Sequence, residues 1–350
     1  MQQLLPFAVV VAAAADPNVV VATAAPPDML FFSMGDWGGA SDAEPTTASQ
    51  LSNGRGMAAA ATALGVTPRF VMGVGDNFYA AGIAGDVSSA RFNETFEAAF
   101  AEPELQCPWR MVAGNHDHLG NVSAQLAYSA QHRGSGRWQF PDLWYTFVEP
   151  IATAPSATVQ VVYIDTVVLA GMSYEDEESG AFVEGEPHPL QARESEQLRW
   201  LEKTLAASTA DYLWVSGHYP IYSQCQHGPT WRLIRNVLPL MKKYGASGYI
   251  AGHDHCSGLY EAHGMAFVLA GAGRWCCYRP DHLHSALNPG PPAFRMDAHE
   301  THGAIGGFAS FAVTAEATVV RMHADNGTVL HTASPVTPRK QRGAAAAAAA

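Results

Sequence analysis

Five short segments pair a glycine with residues that ligate hard metal ions. They are Gly35-Asp36-Trp37-Gly38-Gly39, Gly75-Asp76-Asn77-Phe78-Tyr79, Gly114-Asn115-His116-Asp117, Gly217-His218-Tyr219-Pro220 and Gly252-His253-Asp254-His255. Carboxylates, imidazoles, an amide and a phenol gathered in one crevice can hold two metal ions, a donor set suited to hydrolysis of phosphate esters. In Asp76-Asn77-Phe78-Tyr79, positions i and i+3 share a side if the chain turns helically, so a carboxylate and a phenol can reach one ion. In His253-Asp254-His255, an i, i+2 pair shares a face if a strand pleat continues, whereas a loop splays the imidazoles toward neighbouring ions. Two cations about 3.5–4 Å apart need a bridging carboxylate between them. Asp76, central in the set, is the natural bridge.

The elements that must position these residues follow from the runs before them. Residues 29–33, 70–74, 110–113, 212–216 and 248–251 are apolar and strand-like, and each leads into one motif. Ligand-bearing loops at the ends of successive strands of an α/β sheet can converge on one crevice. Helical patterns are expected over 46–64, 90–100, 121–131, 194–207 and 231–244, with further strands over 159–165 and 266–269. From residue 307 to 332 the pattern alternates, with Asp325-Asn326-Gly327 as a turn, which predicts a hairpin meander and therefore mixed sheets. Residues 172–189 are acidic and 281–302 are rich in Pro and His, and both read as long loops.

The 350 residues, 48% hydrophobic and 15% charged, suffice for a large globular core, and one catalytic domain over 26–335 is the simplest organisation. The net charge of −12 argues against generic binding to nucleic acid or to an anionic membrane. It does not exclude anionic substrates, because bound multivalent cations dominate their own site. Residues 1–25 read as a secretory signal with an apolar core from Leu4 to Ala15, although the n-region lacks charged side chains. Sequons at Asn93, Asn121 and Asn326 fit a secreted or lysosome-like destination. Five cysteines form no disulfide-rich framework, and Cys276 and Cys277 are read as ordinary thiols or as pairing elsewhere. Residues 336–350, basic and then alanine-rich, are expected to be disordered.

Taken in order, the five motifs resemble those of the purple acid phosphatases, in particular the small mammalian type. The stretch GNHDHLGNVSAQLAY at 114–128, His227-Gly228-Pro229-Thr230 and Gly306-Gly307-Phe308-Ala309 extend the likeness over about 29–332. Tyr79 separates this family from other calcineurin-like metallophosphoesterases. The resemblance implies a four-layer α/β (mixed α+β) sandwich of two mixed sheets flanked by helices, with metals at the strand ends. By position it implies Fe(III) held by Asp36, Tyr79, His255 and bridging Asp76. A divalent ion, Fe(II), Zn or Mn, would be held by Asp76, Asn115, His218 and His253. It also places His116 and His227 beside the substrate, each as proton donor or as a cation that binds phosphate. The implied activity is acid hydrolysis of phosphate monoesters, on small molecules or phosphoproteins. A Zn or Mn phosphodiesterase or pyrophosphatase, or a non-catalytic iron or redox protein, are the rival readings.

Three departures accompany the likeness. Gln226 stands where glutamate is usual, Arg274-Trp275 replaces an Asn-Phe pair, and the cysteines do not sit at the mammalian-type disulfide positions. Arg274 is read equally as a phosphate contact or a surface residue. Asp117 and Asp254 are read as residues that orient ligands.

Overall fold

The computed structural model describes residues 26–175, 182–296 and 303–340. The expected signal at 1–25, part of the acidic 172–189 segment and the alanine-rich end lie outside the described residues.

Continuous apolar runs produce strands buried on both faces. In the 154–163 strand, Val159, Val161 and Tyr163 face a core between two sheets, while Val162 faces a second core under the outer helices. In Tyr212–Ser216, Tyr212 and Trp214 share the first core, and Leu213 and Val215 the second. This alternation follows the two-residue period of the pleat. The second core is completed by Leu201 and Leu205 of the Glu194–Ala207 helix, with Leu233, Val237 and Met241 from the helices after it.

One seven-stranded sheet runs Val329–Thr332, Thr318–Ala324, Gly307–Val313, Met29–Met34, Phe70–Gly73, Trp109–Met111, Trp138–Gln139. The other runs Phe294–Arg295, Ser257–Ala262, Met265–Ala270, Gly248–Ala251, Tyr212–Ser216, Ala154–Tyr163, Tyr145–Ile151. Both are mixed: Met29–Met34 pairs parallel with Phe70–Gly73 and antiparallel with Gly307–Val313, and Met265–Ala270 pairs parallel with Gly248–Ala251 and antiparallel with Ser257–Ala262. Trp214 meets Phe311 edge-on across the sheets at 5.2 Å between ring centroids. The meander expected at the C-terminal end supplies three strands of the first sheet.

The Ala48–Leu64 helix opens on Thr47, whose side chain accepts from the Gln50 amide, and closes at Gly65 with φ 65°. Gly56 within it lets the Asp325-Asn326-Gly327 turn approach, because a Cβ there would stand 2.2 Å from the Asp325 carbonyl oxygen.

Several boundaries differ from expectation. The 231–244 helix is two pieces, Trp231–Asn236 and Leu238–Lys243, with Pro239 in the first turn of the second. Proline lacks the N–H that a continuous helix needs there. The 90–100 segment yields only a short wide turn at Phe92–Glu97. The 172–189 segment contains a paired hairpin, Met172–Glu175 with Phe182–Glu186. Tyr145–Ile151 carries Pro150 and is an edge strand, the position proline tolerates. Residues 336–340, expected in a disordered tail, are packed: Val336 exchanges backbone hydrogen bonds with Thr318, and Arg339 donates to Ser208, Ala210 and Tyr244. Among the cysteines Cys225 bonds to Cys256, and Cys107 is a buried thiol.

Candidate metal centre

Strand ends from both sheets meet along one edge, and the motif residues turn inward there. Asp36, Asp76 and His253 adopt left-handed backbone conformations, with φ 58°, 52° and 75°. Non-glycine residues rarely sit there, and such strain persists where surrounding structure enforces it. The glycine ahead of a ligand makes room for another ligand. A Cβ on Gly75, itself at φ 96°, would stand 2.5 Å from His218 Nδ1, and one on Gly114 would overlap Asp76.

The donor atoms converge. The Tyr79 hydroxyl donates to Asp76 Oδ2 at 2.7 Å, and its oxygen lies 3.1 Å from Asp36 Oδ1 and 2.9 Å from His255 Nε2. On the other side of Asp76, His218 Nε2 lies 3.4 Å from Oδ2 and 3.0 Å from Asn115 Oδ1. The His253 ring centroid is 5.1 Å from that of His218. His253 and His255 follow the end of the Gly248–Ala251 strand in a bend, so they are splayed as a loop would splay them. All seven candidate ligands are buried.

The site's electrostatics ask for a cation. Burial drives the Asp36 carboxyl well above the usual carboxylate range; His218 opposes this and Asp76 adds to it. Burial works on Asp76 too, but His218 and His116 outweigh it and hold Asp76 well below that range. Burial lowers the His218 pKa, yet Asp76 and Asp36 raise it to about 9. With only protons available, His218 thus supplies the positive charge between the two carboxylates. Burial with the Asp36 and Asp76 charges pushes the Tyr79 phenol well above its ordinary 10, an effect that a multivalent cation reverses. His255 Nδ1 is buried without a hydrogen-bond partner. Asp36, Asp76 and His218 place ligand atoms within 4.8 Å of one another. This dense set of hard acceptors fits a metal centre.

Residues behind the ligands fix them. Asp117 Oδ2 accepts from the Gly114 amide at 2.8 Å and from both the backbone and side-chain nitrogens of Asn77, and Oδ1 accepts from Gln125 Nε2 at 2.8 Å. It therefore ties the second motif to the third, as an orienting role requires. Asp254 accepts from the Ser223 hydroxyl and the His227 and Gly228 amides. His218 Nδ1 donates to the Val74 carbonyl, which directs Nε2 at Asp76. Gln125 and Tyr278 had no local signal, because their roles come from neighbours distant in sequence. Tyr278 stacks on His255 at 4.6 Å and meets His227 edge-on at 4.9 Å.

His116 is half-buried; its backbone N–H donates to Asp76 Oδ1, its ring lies 4.4 Å from that of Tyr79, and Nδ1 hydrogen-bonds to the Ala80 carbonyl. His227 is buried and stacked on His253 at 4.4 Å, and burial lowers its pKa to about 3.

Residues 30–257 match the family model of the calcineurin-like phosphoesterases. Tartrate-resistant acid phosphatase type 5 of Sus scrofa is 36% identical over 97% of this chain and 96% of its own. Purple acid phosphatase 7 of Arabidopsis thaliana is 31% identical over 58% of this chain and 60% of its own. The chain belongs to the purple acid phosphatases. Within that family the human type 5 enzyme is 37% identical over 88% of this chain and 91% of its own. Among solved structures, purple acid phosphatase PPD1 from yellow lupin superposes with a TM-score of 0.56 at 14% identity, over 87% of this chain and 53% of that one. GAP50 of Plasmodium, described as an anchor in the inner membrane complex, reaches 0.69 at 22% identity over 88% and 89%. Such low identities show the fold alone, and fold does not assign function. The purple acid phosphatase described here is a metal-dependent phosphatase, and no described helix is long and apolar enough to cross a membrane.

Proposed function

We propose that this purple acid phosphatase is a secreted phosphomonoesterase with a binuclear Fe(III)–M(II) centre that works in acid. One observation carries the reading: Asp76 Oδ2 lies at the junction of two donor groups, 2.7 Å from the Tyr79 hydroxyl and 3.4 Å from His218 Nε2. Asp36, Tyr79 and His255 would hold Fe(III) with Asp76, and Asn115, His218 and His253 would hold the divalent ion with it. When bound, the ions supply an acidified water as nucleophile and neutralise charge on the phosphoryl group.

The chain's own residues supply the rest. A deprotonated Tyr79 gives a hard anionic ligand that favours a trivalent ion. His227, kept neutral by burial, serves as a hydrogen-bond donor to the phosphoryl oxygens rather than as a cation. His116, more open to solvent and anchored through Nδ1, delivers a proton from Nε2 to the leaving alkoxide. Exposed sequon residues Asn93, Asn121 and Asn326 and the Cys225–Cys256 bond suit an oxidising, secretory route.

Metal analysis with a visible spectrum of the purified protein, followed by assays on a monoester and a diester, tests this. Expected are two metals per chain, one of them iron, a phenolate band and preference for the monoester. Zinc alone, no band and faster diester cleavage would overturn it.

A further inference from the structure

The segment after the Met265–Ala270 strand carries Arg274, Trp275 and Tyr278 beside the metal centre, against Tyr79 and His255. The Arg274 guanidinium carbon stands 4.2 Å from the centroid of the Tyr79 ring. Its buried Nε has no hydrogen-bond partner, and among the described residues it forms no ion pair. The backbone is pinned: the Arg274 carbonyl accepts from the Thr47 hydroxyl at 2.9 Å, and the Gly273 carbonyl from Ser49 and Asn53. The pinned backbone and the Tyr79 ring under the guanidinium restrict the side chain before any ligand arrives, which lowers the cost of binding one.

Its surroundings form a rim. Trp275 is 38% exposed and packs edge-on to His255 at 5.3 Å and to Tyr278 at 4.8 Å. Tyr278 in turn covers His255 and borders His227. Arg274 sits over the ring of Tyr79, whereas Asp36, Asp76 and His255 meet at the hydroxyl. It is thus set back from the atoms that would hold the transferred group.

We propose that Arg274 receives an anionic group on the leaving group of the substrate, with Trp275 and Tyr278 walling that subsite. Esters whose alcohol carries a carboxylate or a second phosphate are then preferred over neutral ones. The assignment rests on the phosphomonoesterase reading.

The test compares ethylphosphonate with 2-carboxyethylphosphonate, bound to the metal-loaded protein and followed by calorimetry. Arg274→Gln should weaken the carboxylated ligand about tenfold and Arg274→Lys less, as expected for loss of one charge-assisted contact. Ethylphosphonate should change by less than about twofold, which also verifies an intact centre. In turnover, the KM for 3-phosphoglycerate should rise in Arg274→Gln with kcat kept, while glycerol phosphate is unaffected. Equal weakening of both ligands would place Arg274 on the transferred phosphoryl group and overturn the proposal, and no change in either would also overturn it. Failure of wild-type protein to bind ethylphosphonate or to release phosphate would instead fault the monoesterase reading.

Discussion

The Tyr79 hydroxyl oxygen lies 2.7 Å from Asp76 Oδ2 and 2.9 Å from His255 Nε2, bridging a neighbour three residues away and one 176 residues away. A phenol so placed, buried and facing two carboxylates, has little reason to ionise without a metal.

Tyr79→Phe should therefore leave a folded protein that has lost its visible charge-transfer band. Phosphate release should fall by about 10²-fold or more, the scale for removing one electrostatic contributor at a reacting centre. The absorption spectrum of the iron-loaded variant checks this. A persistent purple band would remove Tyr79 from the ligand set.

Asp117 is buried behind Gly114 and Asn77 without facing the donor cluster, and burial with the nearby Asp76 charge raises its pKa to about 6. Asp117→Asn keeps the shape but replaces one acceptor with a donor. Metal affinity is expected to drop about 10- to 100-fold, in line with other residues that support ligands. Competition with a chelator measures it, and affinity equal to wild type would confine Asp117 to folding.

His116 is half-buried and His227 buried, and the roles proposed for them differ accordingly. His116→Ala should lower kcat for alkyl esters about 10²-fold, with a smaller loss for esters whose alcohol leaves without help from an acid. His227→Ala should act mainly on KM and affect both ester classes alike, as the proposed neutral donor to the phosphoryl group requires. Steady-state kinetics on the two classes distinguishes them; the reverse pattern would exchange the roles.

His323 is buried outside the donor cluster, and its titration is expected to contribute to acid sensitivity. Its Nδ1 donates to the Gly327 carbonyl, Nε2 accepts from the Ser310 hydroxyl, and its ring stacks on Phe308. Burial lowers its pKa from 6.5 to about 4. The neutral ring therefore stabilises the fold above about pH 6.5, and this contribution, on the order of 3 kcal/mol, is lost progressively as the pH falls from 6.5 through about 4. His323→Asn should have a lower Tm at pH 7 but a shallower decline between pH 6.5 and 4. Parallel slopes in thermal melts of the two proteins would refute this.

The sequence by itself determined the donor chemistry and the strands that carry it. Asp36, Asp76 and Asn115 follow apolar runs of one sheet and His218 and His253 those of the other, and burial on both faces makes such runs legible. The meander was legible too, because alternation and an Asp-Asn-Gly turn are local signals. What only the tertiary structure decided were relations between distant segments. The Asp117–Gln125 and Asp254–Ser223 supports, the Cys225–Cys256 bond and the seating of Arg274 on Tyr79 depend on how two sheets stack, and no spacing encodes that. The pairing of Met172–Glu175 with Phe182–Glu186 belongs there as well, whereas the break in the 231–244 helix is local, since Pro239 marks it in the sequence.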